Sequence, residues 1–251
     1  MKLEKIGLQL YTIRDYMNSA EQIRTSFRKL KELGYDVVQT AGCAIPYAEF
    51  GQIAKEEGLE ICGTHDDFDL MVKDTEKALE NHRYLGTTNM GVGGFWPDSI
   101  KEIEDFINNA NTVAGKIREQ GFKFTYHNHD QEFIRYENGK RMMDMLIDGL
   151  DARNTTFVLD TYWVQYGGGD IYEWIRKLAG RIDILHLKDM AAGRQEPYIT
   201  EVGNGNLNWE RILETAKEVG VKYYIVEQDQ WPGDPFDSVA RSSEYLHKHF
   251  M

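Results

Sequence analysis

The amino-acid sequence predicts an α/β protein built as a single (β/α)₈ TIM barrel, and three observations carry this prediction. Short apolar segments recur along the chain at regular intervals, as strands would. Amphipathic segments of helical period lie between them, and strands that alternate with helices form a parallel sheet with right-handed crossovers. The length of 251 residues is close to that of one such barrel.

Eight segments are predicted as strands because each is short, rich in apolar or β-branched residues and bounded by turn residues. They are IGLQLY (6–11), DVVQT (36–40), EICGTH (60–65), TNMGVG (88–93), KFTYHN (123–128), TFVLD (156–160), IDILHL (182–187) and YYIVEQ (223–228). The clearest helical patterns cover 19–34, 99–121, 208–220 and 236–250. The first three end on glycine, and the third opens on Asn208, a candidate N-cap.

An open, doubly wound sheet is the alternative arrangement of these repeats. That fold usually has a glycine-rich phosphate loop after its first strand, whereas YTIRDYMN follows the first strand here and contains no glycine. No linker rich in Pro, Gly or Ser divides the chain, so residues 1–251 are predicted to form one domain. The longest irregular stretch, 189–207, follows a strand and should lie at the barrel mouth and fold over substrate.

Composition and charge exclude several classes of partner. A formal net charge of −12 argues against a nucleic-acid groove and against binding to anionic lipid. No apolar run approaches the roughly 18–20 residues that span a bilayer, and the start of the chain lacks the pattern of a secretory signal. The two cysteines, Cys43 and Cys62, are interpreted as structural thiols in a reducing compartment, which predicts a cytoplasmic protein.

Four strand ends carry side chains that can bind a metal ion or transfer a proton: His127, Asp160, His186 and Glu227. In a barrel, the C-terminal ends of all strands meet at one mouth, so these four can form one site. Each also has a simpler interpretation. The aspartate can cap the next helix, a histidine can be a hydrogen-bonded core residue, and the glutamate can pair with a basic residue at the rim. The joint occurrence favours the metal site.

Two imidazoles and two carboxylates suit one divalent ion of Mn, Co, Fe or Zn better than Mg or Ca, which prefer oxygen ligands alone. The sequence does not rank these four metals.

Several motifs, spread nearly from end to end, resemble the xylose-isomerase-like TIM-barrel superfamily, the sugar phosphate isomerases and epimerases. They are GLQLYTIRD (7–15), YHNHDQEF (126–133), VLDTYWV (158–164), HLKD (186–189), VGNGNLNW (202–209) and IVEQD (225–229). The resemblance implies one divalent metal held by Glu, Asp, His and Glu, of which Asp160, His186 and Glu227 match the last three. His127 stands where related barrels place the first Glu, as in a branch with a YHNH motif.

The resemblance also implies a reaction that starts by removing a proton next to a carbonyl group, through an enediolate stabilised by the metal. Glu227 is the first candidate for the base, and His129 is the second. The alternative for His129 is a residue that orients His127 or caps a helix.

Five further residues are candidates for substrate binding. His65 ends the third strand and could contact a sugar hydroxyl. Lys188 could bind an oxyanion of the substrate, or it could simply pair with a carboxylate such as Asp189 or Glu227. Arg194 could bind an anionic group of the substrate when its loop closes, or it could be an exposed surface residue without such a role. Gln9 and Trp163 are candidates for the cavity wall.

These features lead to three hypotheses. The first is a metal-dependent isomerase or epimerase that acts on a small sugar or polyol. The second is a dehydratase of a keto-sugar or keto-inositol, because dehydration begins with the same proton abstraction and then needs an acid for the departing hydroxyl. The third is a barrel that binds sugar without turnover. The family analogy also allows for a homo-oligomer.

Overall fold

The computed structural model describes residues 2–251 and consists of parallel strands that alternate with helices. The strands are β1 (Gly7–Gln9), β2 (Val37–Ala41), β3 (Glu60–His65), β4 (Asn89–Val92), β5 (Lys123–His127), β6 (Thr155–Asp160), β7 (Ile182–Leu187), β8 (Asp189–Ala191), β9 (Tyr198–Thr200) and β10 (Tyr223–Val226). All of these except β8 and β9 form one parallel sheet in the order β3-β2-β1-β10-β7-β6-β5-β4. This ring is nearly closed, and the predicted (β/α)₈ barrel is confirmed.

The helices lie between the strands and begin mostly at polar caps. They are α1 (Ala20–Glu32), α2 (Tyr47–Glu56), α3 (Phe68–Lys73), α4 (Thr75–Leu85), α5 (Ile100–Arg118), α6 (Met142–Gly149), α7 (Thr161–Tyr166), α8 (Ile171–Lys177), α9 (Trp209–Glu218) and α10 (Pro235–Phe250), with 3₁₀ helices at Leu10–Tyr16 and Gln131–Phe133. The predicted cap is confirmed at Asn208, whose side chain accepts a hydrogen bond from Arg211 N. Within residues 2–251, no helix combines the length and apolar character needed to cross a membrane.

The sheet ring is completed between β3 and β4 by hydrogen bonds outside the regular ladder. Asp66 N donates to the Gly91 carbonyl oxygen at 2.8 Å, and Asn89 Nδ2 donates to the Cys62 carbonyl oxygen at 2.8 Å. Gly91 N donates to Thr64 Oγ1 at 3.1 Å. A Cβ atom on Gly91 would collide with the Thr64 carbonyl oxygen, so glycine is required where these strands approach.

The barrel interior has an apolar layer directly beneath a polar one. The apolar layer consists of Val37, Cys62, Val158, Ile184 and Ile225, all at most 2% exposed. Side chains at positions i and i+2 of a strand share a face. Asp160, His186 and Glu227 each lie two residues beyond a member of that layer and therefore stand above it, at the mouth.

Two local predictions need correction. The first strand was expected to reach residue 11, but β1 ends at Gln9, whose Oε1 accepts a hydrogen bond from Tyr11 N and so caps the following 3₁₀ helix. The stretch 189–207 was expected to be irregular, but β8 and β9 form an antiparallel hairpin within it. Strands of three residues are too short to show a period-two pattern.

Candidate metal centre

His127, Asp160, His186 and Glu227 converge at the barrel mouth. They come from the ends of β5 and β6, from within β7 and from the position after β10. Each offers one ligand atom, and these four atoms all lie within 4.8 Å of one another. All four residues are buried, the most exposed at 4%. The structure thus brings together the predicted ligand set, although the residues are up to 100 positions apart in sequence.

The separations between the ligand atoms suit a first coordination shell. His127 Nε2 is 3.5 Å from Asp160 Oδ2 and 3.9 Å from Glu227 Oε2. His186 Nδ1 is 3.6 Å from Asp160 Oδ2 and 2.8 Å from Glu227 Oε2. Ligands about 2.1 Å from a tetrahedral ion would be about 3.4 Å apart, and the two separations that involve Asp160 Oδ2 are close to that value.

Both imidazoles are oriented by hydrogen bonds on the side away from the cluster. His127 Nδ1 donates to the Gly93 carbonyl oxygen at 3.0 Å, and His186 Nε2 donates to Gln39 Oε1 at 2.5 Å. The inner nitrogens of the two rings therefore face the carboxylates, and each would offer a lone pair to a metal ion in the neutral form of its ring. Such an outer hydrogen bond is a regular feature of histidines that bind metals.

His127 Nε2 and Asp160 Oδ2 face inward and have no hydrogen-bond partner among residues 2–251, and His186 Nδ1 has one, Glu227 Oε2 at 2.8 Å, only when its ring is protonated. Buried polar atoms are rarely left without a partner, because their desolvation costs free energy. A cation shared by these atoms would satisfy all three. The donor set and its geometry therefore fit a divalent metal ion.

Asp160 combines the two roles between which the sequence could not decide. Its Oδ1 accepts a hydrogen bond from Trp163 N at 3.0 Å and caps α7. Its Oδ2 faces the two histidines instead. The helix cap fixes the rotation of the carboxylate and thereby points the second oxygen at the cluster.

Lys188 lies beside the cluster and is only 1% exposed. Its Nζ is 2.7 Å from Asp229 Oδ2, 3.3 Å from Glu227 Oε2 and 3.5 Å from Asp160 Oδ2. Of the two roles considered for Lys188, the structure shows the pairing with carboxylates, but Asp229 rather than Asp189 is the nearest partner. Asp189 instead accepts hydrogen bonds from the loop that follows.

The charges of this cluster shift several pKa values. Burial lowers the pKa of His186, but the charges of Glu227 and Asp160 outweigh it and raise the value to about 9. Burial opposes ionisation of Asp160 and Glu227, but Lys188 and the histidines hold both pKa values below the usual range. A metal ion and the proton of His186 therefore compete for the same nitrogen atom.

Three predicted residues surround the cluster. The ring of His129 is 4.7 Å from that of His127 and 5.3 Å from that of Trp163, between centroids. Burial, together with the charges of His127 and Lys188, lowers the pKa of His129 to about 3, so its ring is neutral. The ammonium group of Lys188 lies 5.0 Å from the centroid of the Trp163 ring.

His65 and Gln9 form a pair on the opposite side of the mouth. Gln9 Oε1 accepts from Tyr11 N, and Gln9 Nε2 therefore donates to His65 Nδ1 at 3.2 Å. This leaves the proton of His65 on Nε2, which is buried and has no partner among residues 2–251. The ring centroid of His65 is 4.8 Å from that of His127.

A cavity of about 820 Å³ opens above the cluster. Its lining includes His65, His127, His129 and Glu227 of the predicted residues, together with Tyr11, Tyr47, Asp66, Trp96 and Asp229. Arg194 lies exposed in the loop that connects β8 to β9 and is not part of this lining. Its proposed contact with an anionic group when the loop closes stays a prediction.

Sequence reasoning missed three residues that complete the site: Gln39, Asp66 and Asp229. Gln39 shares a strand face with Val37, so a polar side chain within an apolar strand was its signal. Asp66 follows the end of β3 by one residue and Asp229 follows the end of β10 by three, where only the fold decides which way a side chain turns.

Comparison with known proteins agrees with this geometry. The family model described as "Xylose isomerase-like TIM barrel" matches residues 27–249. A curated inosose dehydratase of Clostridium perfringens is 21% identical over 164 residues, which cover 58% of this chain and 54% of that protein. The chain thus spans about half the length of the curated relatives it matches.

Two solved structures share the fold over nearly the whole chain. One is described as a sugar phosphate isomerase/epimerase from Parabacteroides distasonis, with a TM-score of 0.84, 22% identity and coverage of 98% of this chain and 94% of that one. The other is the probable 3-DHS dehydratase of Bacillus anthracis, with a TM-score of 0.74, 14% identity and coverage of 98% and 99%. At these identities the likeness shows the fold alone.

Proposed function

Because this chain belongs to the xylose isomerase-like TIM-barrel family, we propose that it is a metal-dependent enzyme that removes a proton next to the carbonyl group of a small sugar or polyol. The observation that carries the proposal is the pair of imidazoles whose outer nitrogens donate to carbonyl oxygens and whose inner nitrogens face two carboxylates. His127, Asp160, His186 and Glu227 would hold the ion, for which Mn, Co, Fe or Zn suit the donor set better than Mg.

The ion would supply a positive charge that stabilises the enediolate oxygens. Glu227 is suited to act as the base, because all its contacts to the cluster use Oε2. Within residues 2–251, Oε1 makes no hydrogen bond or ion pair, and Glu227 lines the cavity. The low pKa of Glu227 keeps its carboxylate ionised and able to accept a proton.

His129 is the second candidate for proton transfer. Its ring lies between those of His127 and Trp163, it lines the cavity, and its Nδ1 atom is buried without a partner among residues 2–251. His127 now occupies the position of a carboxylate that serves as a base in related barrels. A second proton transfer on the opposite face of the substrate therefore falls to His129 or His65.

We infer that isomerisation or epimerisation is the overall reaction, since each needs only the transfer of protons among groups that line this cavity. Dehydration is the second candidate, and the names of the curated relatives favour it. It begins at Glu227 in the same way and then needs an acid for the departing hydroxyl group, a role that His65 or His129 could fill only after taking up a proton, because burial lowers the pKa of both rings.

The test incubates the metal-loaded protein with unmodified keto-sugars and keto-cyclitols in D₂O and follows the products by mass spectrometry. Deuterium next to the carbonyl, with an otherwise unchanged substrate mass, indicates isomerisation or epimerisation, whereas loss of one water indicates dehydration. In Glu227→Gln, we expect turnover to fall about 10²–10⁴-fold, as for the loss of a general base.

The metal content of Glu227→Gln is measured alongside, because the residue is also a proposed ligand. Asp69→Asn, at an exposed residue outside the cavity lining, is the control and should keep the wild-type rate. Near-normal exchange in Glu227→Gln would exclude this residue as the base, and failure of the metal-loaded wild type to exchange any proton would contradict the proposed function.

A further inference from the structure

The cavity extends well beyond the metal-binding cluster. The cluster lies on the side of β5, β6, β7 and β10, whereas Asp66, Tyr47 and Cys43 line the same cavity on the side of β2 and β3. His65 lies between the two sides, with its ring centroid 5.6 Å from that of His186. A volume of about 820 Å³ is within the range of small-molecule sites, so one molecule can contact both sides.

Asp66 is held firmly but is not paired with a cation. Its Oδ1 accepts a hydrogen bond from Tyr47 OH at 3.0 Å, and its backbone N–H donates to Gly91 O at 2.8 Å. The nearest basic group is His82, whose Nε2 is 3.7 Å from Asp66 Oδ2.

His82 does not supply the missing positive charge. Its Nδ1 donates to the Ala78 carbonyl oxygen at 2.7 Å, so in the neutral ring Nε2 has the lone pair and accepts from Thr64 Oγ1 at 2.8 Å. Burial lowers the pKa of His82, which agrees with a neutral ring. Asp66 Oδ2 therefore has no hydrogen-bond donor among residues 2–251, although the Asp66 side chain is only 8% exposed.

Asp66 lines the cavity, so a ligand that displaces water from Asp66 Oδ2 must supply a hydrogen-bond donor in its place, because burial without one costs free energy. His65, the residue before Asp66, offers a hydrogen-bond donor instead of an acceptor, because its Nε2–H has no partner among residues 2–251. A hydroxyl group is both a donor and an acceptor, so adjacent hydroxyls on one molecule would satisfy Asp66 and His65 together.

The charge of the lining disfavours an anionic group at this end. Of the described residues that line the cavity, none is Lys or Arg, and the charged residues at this end are Asp66 and Asp67. Lys188, the nearest buried cation, is already paired with three carboxylates. A phosphate or carboxylate group would be repelled here.

Aromatic side chains at the rim of the cavity favour a sugar. Tyr11 and Trp96 are exposed there, and their ring faces suit the C–H faces of a sugar.

We propose that Asp66, positioned by Tyr47, binds hydroxyl groups at the end of the substrate remote from the metal cluster, and that the substrate is an uncharged sugar or polyol rather than a sugar phosphate or sugar acid. This inference rests on the proposed function for the position of the reacting end. It adds a binding residue and the charge class of the substrate.

The experiment measures binding to the metal-loaded protein by calorimetry, with an unmodified ketohexose, a cyclitol, a hexose 6-phosphate and a hexuronate as probes. We expect at least one uncharged probe to bind more tightly than both anions. In Asp66→Asn, the Tyr47 hydrogen bond can persist while Oδ2 becomes an amide nitrogen, so we expect the affinity for that probe to fall at least about tenfold.

Asp69→Asn is the matched control, since Asp69 lies three residues away, its side chain is 75% exposed and it does not line the cavity. We expect it to bind the uncharged probe as the wild type does. Both variants should keep the wild-type thermal midpoint and metal content, which separates a local loss from misfolding.

Three outcomes would overturn the inference: tighter binding of either anion, no binding of either uncharged probe up to its solubility limit, or equal affinity of Asp66→Asn and wild type. Failure of the proposed function looks different. A protein that binds uncharged sugar through Asp66 but exchanges no proton would keep this inference and lose the catalytic one.

Discussion

The side chains of the cluster are oriented mainly by the groups behind them. Gly93 and Gln39 fix the two imidazoles, and the cap of α7 fixes Asp160. Single residues could be proposed as ligands from the sequence because polar side chains at the ends of apolar strands are unusual. Their orienting partners could not be predicted, since a backbone carbonyl such as that of Gly93 has no signature in the sequence.

Glu132 shows at the same scale how burial changes a carboxyl group. It is buried, it accepts hydrogen bonds from Tyr126 OH at 2.5 Å and His129 N at 2.8 Å, and it thereby holds the YHNH segment in place. Burial outweighs these hydrogen bonds and raises the pKa of Glu132 from 4.5 to about 7.

This shift predicts a pH-dependent stability. The pKa of Glu132 is 4.5 in the unfolded chain and about 7 in the folded protein, so the folded state binds the proton more tightly. The contribution of Glu132 to the free energy of unfolding therefore falls as the pH rises from the lower to the higher of these values, and it is constant above the higher one. Relative to Glu132→Gln, which does not titrate, we expect the wild type to lose up to about 3 kcal/mol of unfolding free energy between about pH 4 and pH 8. Urea unfolding of both proteins measures this difference, and a wild type that gains stability relative to the variant would refute it.

At the scale of elements, the β8–β9 hairpin and the loop after it depend on one buried carboxylate. Asp189 accepts hydrogen bonds from five groups: Met190 N, Gly203 N, Gly205 N, Leu207 N and Trp209 Nε1. This explains why the stretch is ordered although its sequence is typical of a loop. The sequence showed the tight turn of the VGNGNLNW segment but not the single acceptor around which it folds.

Replacing that acceptor should release the whole stretch. In Asp189→Ala, the five donors lose their partner, and we expect a loss of about 3 kcal/mol or more of unfolding free energy. Hydrogen exchange should accelerate over 189–207 before the rest of the barrel. Asp69→Ala, which removes an exposed pair with Lys73, is the control and should change stability by less than about 1 kcal/mol. Equal effects of the two substitutions would contradict the anchoring role of Asp189.

At the scale of the whole molecule, the barrel turns distant strand ends into neighbours. The period of two along β6, β7 and β10 places apolar side chains below and ligand-type side chains above, so both fold and cluster could be predicted from strand patterns. The seam between β3 and β4 could not, because two of the three hydrogen bonds described there join side chains to backbone atoms. We propose that residues 1–251 form one domain around this barrel.

The convergence of the four side chains on one ion is the claim on which the catalytic account depends. The direct test is the metal content of the purified protein after exposure to Mn, Co, Fe, Zn or Mg and removal of free ions. Asp160→Asn is the sharpest variant, because asparagine can still cap α7 while the anionic Oδ2 is lost. His186→Ala removes a second ligand, and His65→Ala is the control for a nearby imidazole outside the ligand set.

We expect one ion per chain in the wild type and in His65→Ala, and a large loss in Asp160→Asn and His186→Ala with the fold retained. A wild-type protein that takes up none of these metals, or an Asp160→Asn variant that keeps its full metal content, would contradict the account.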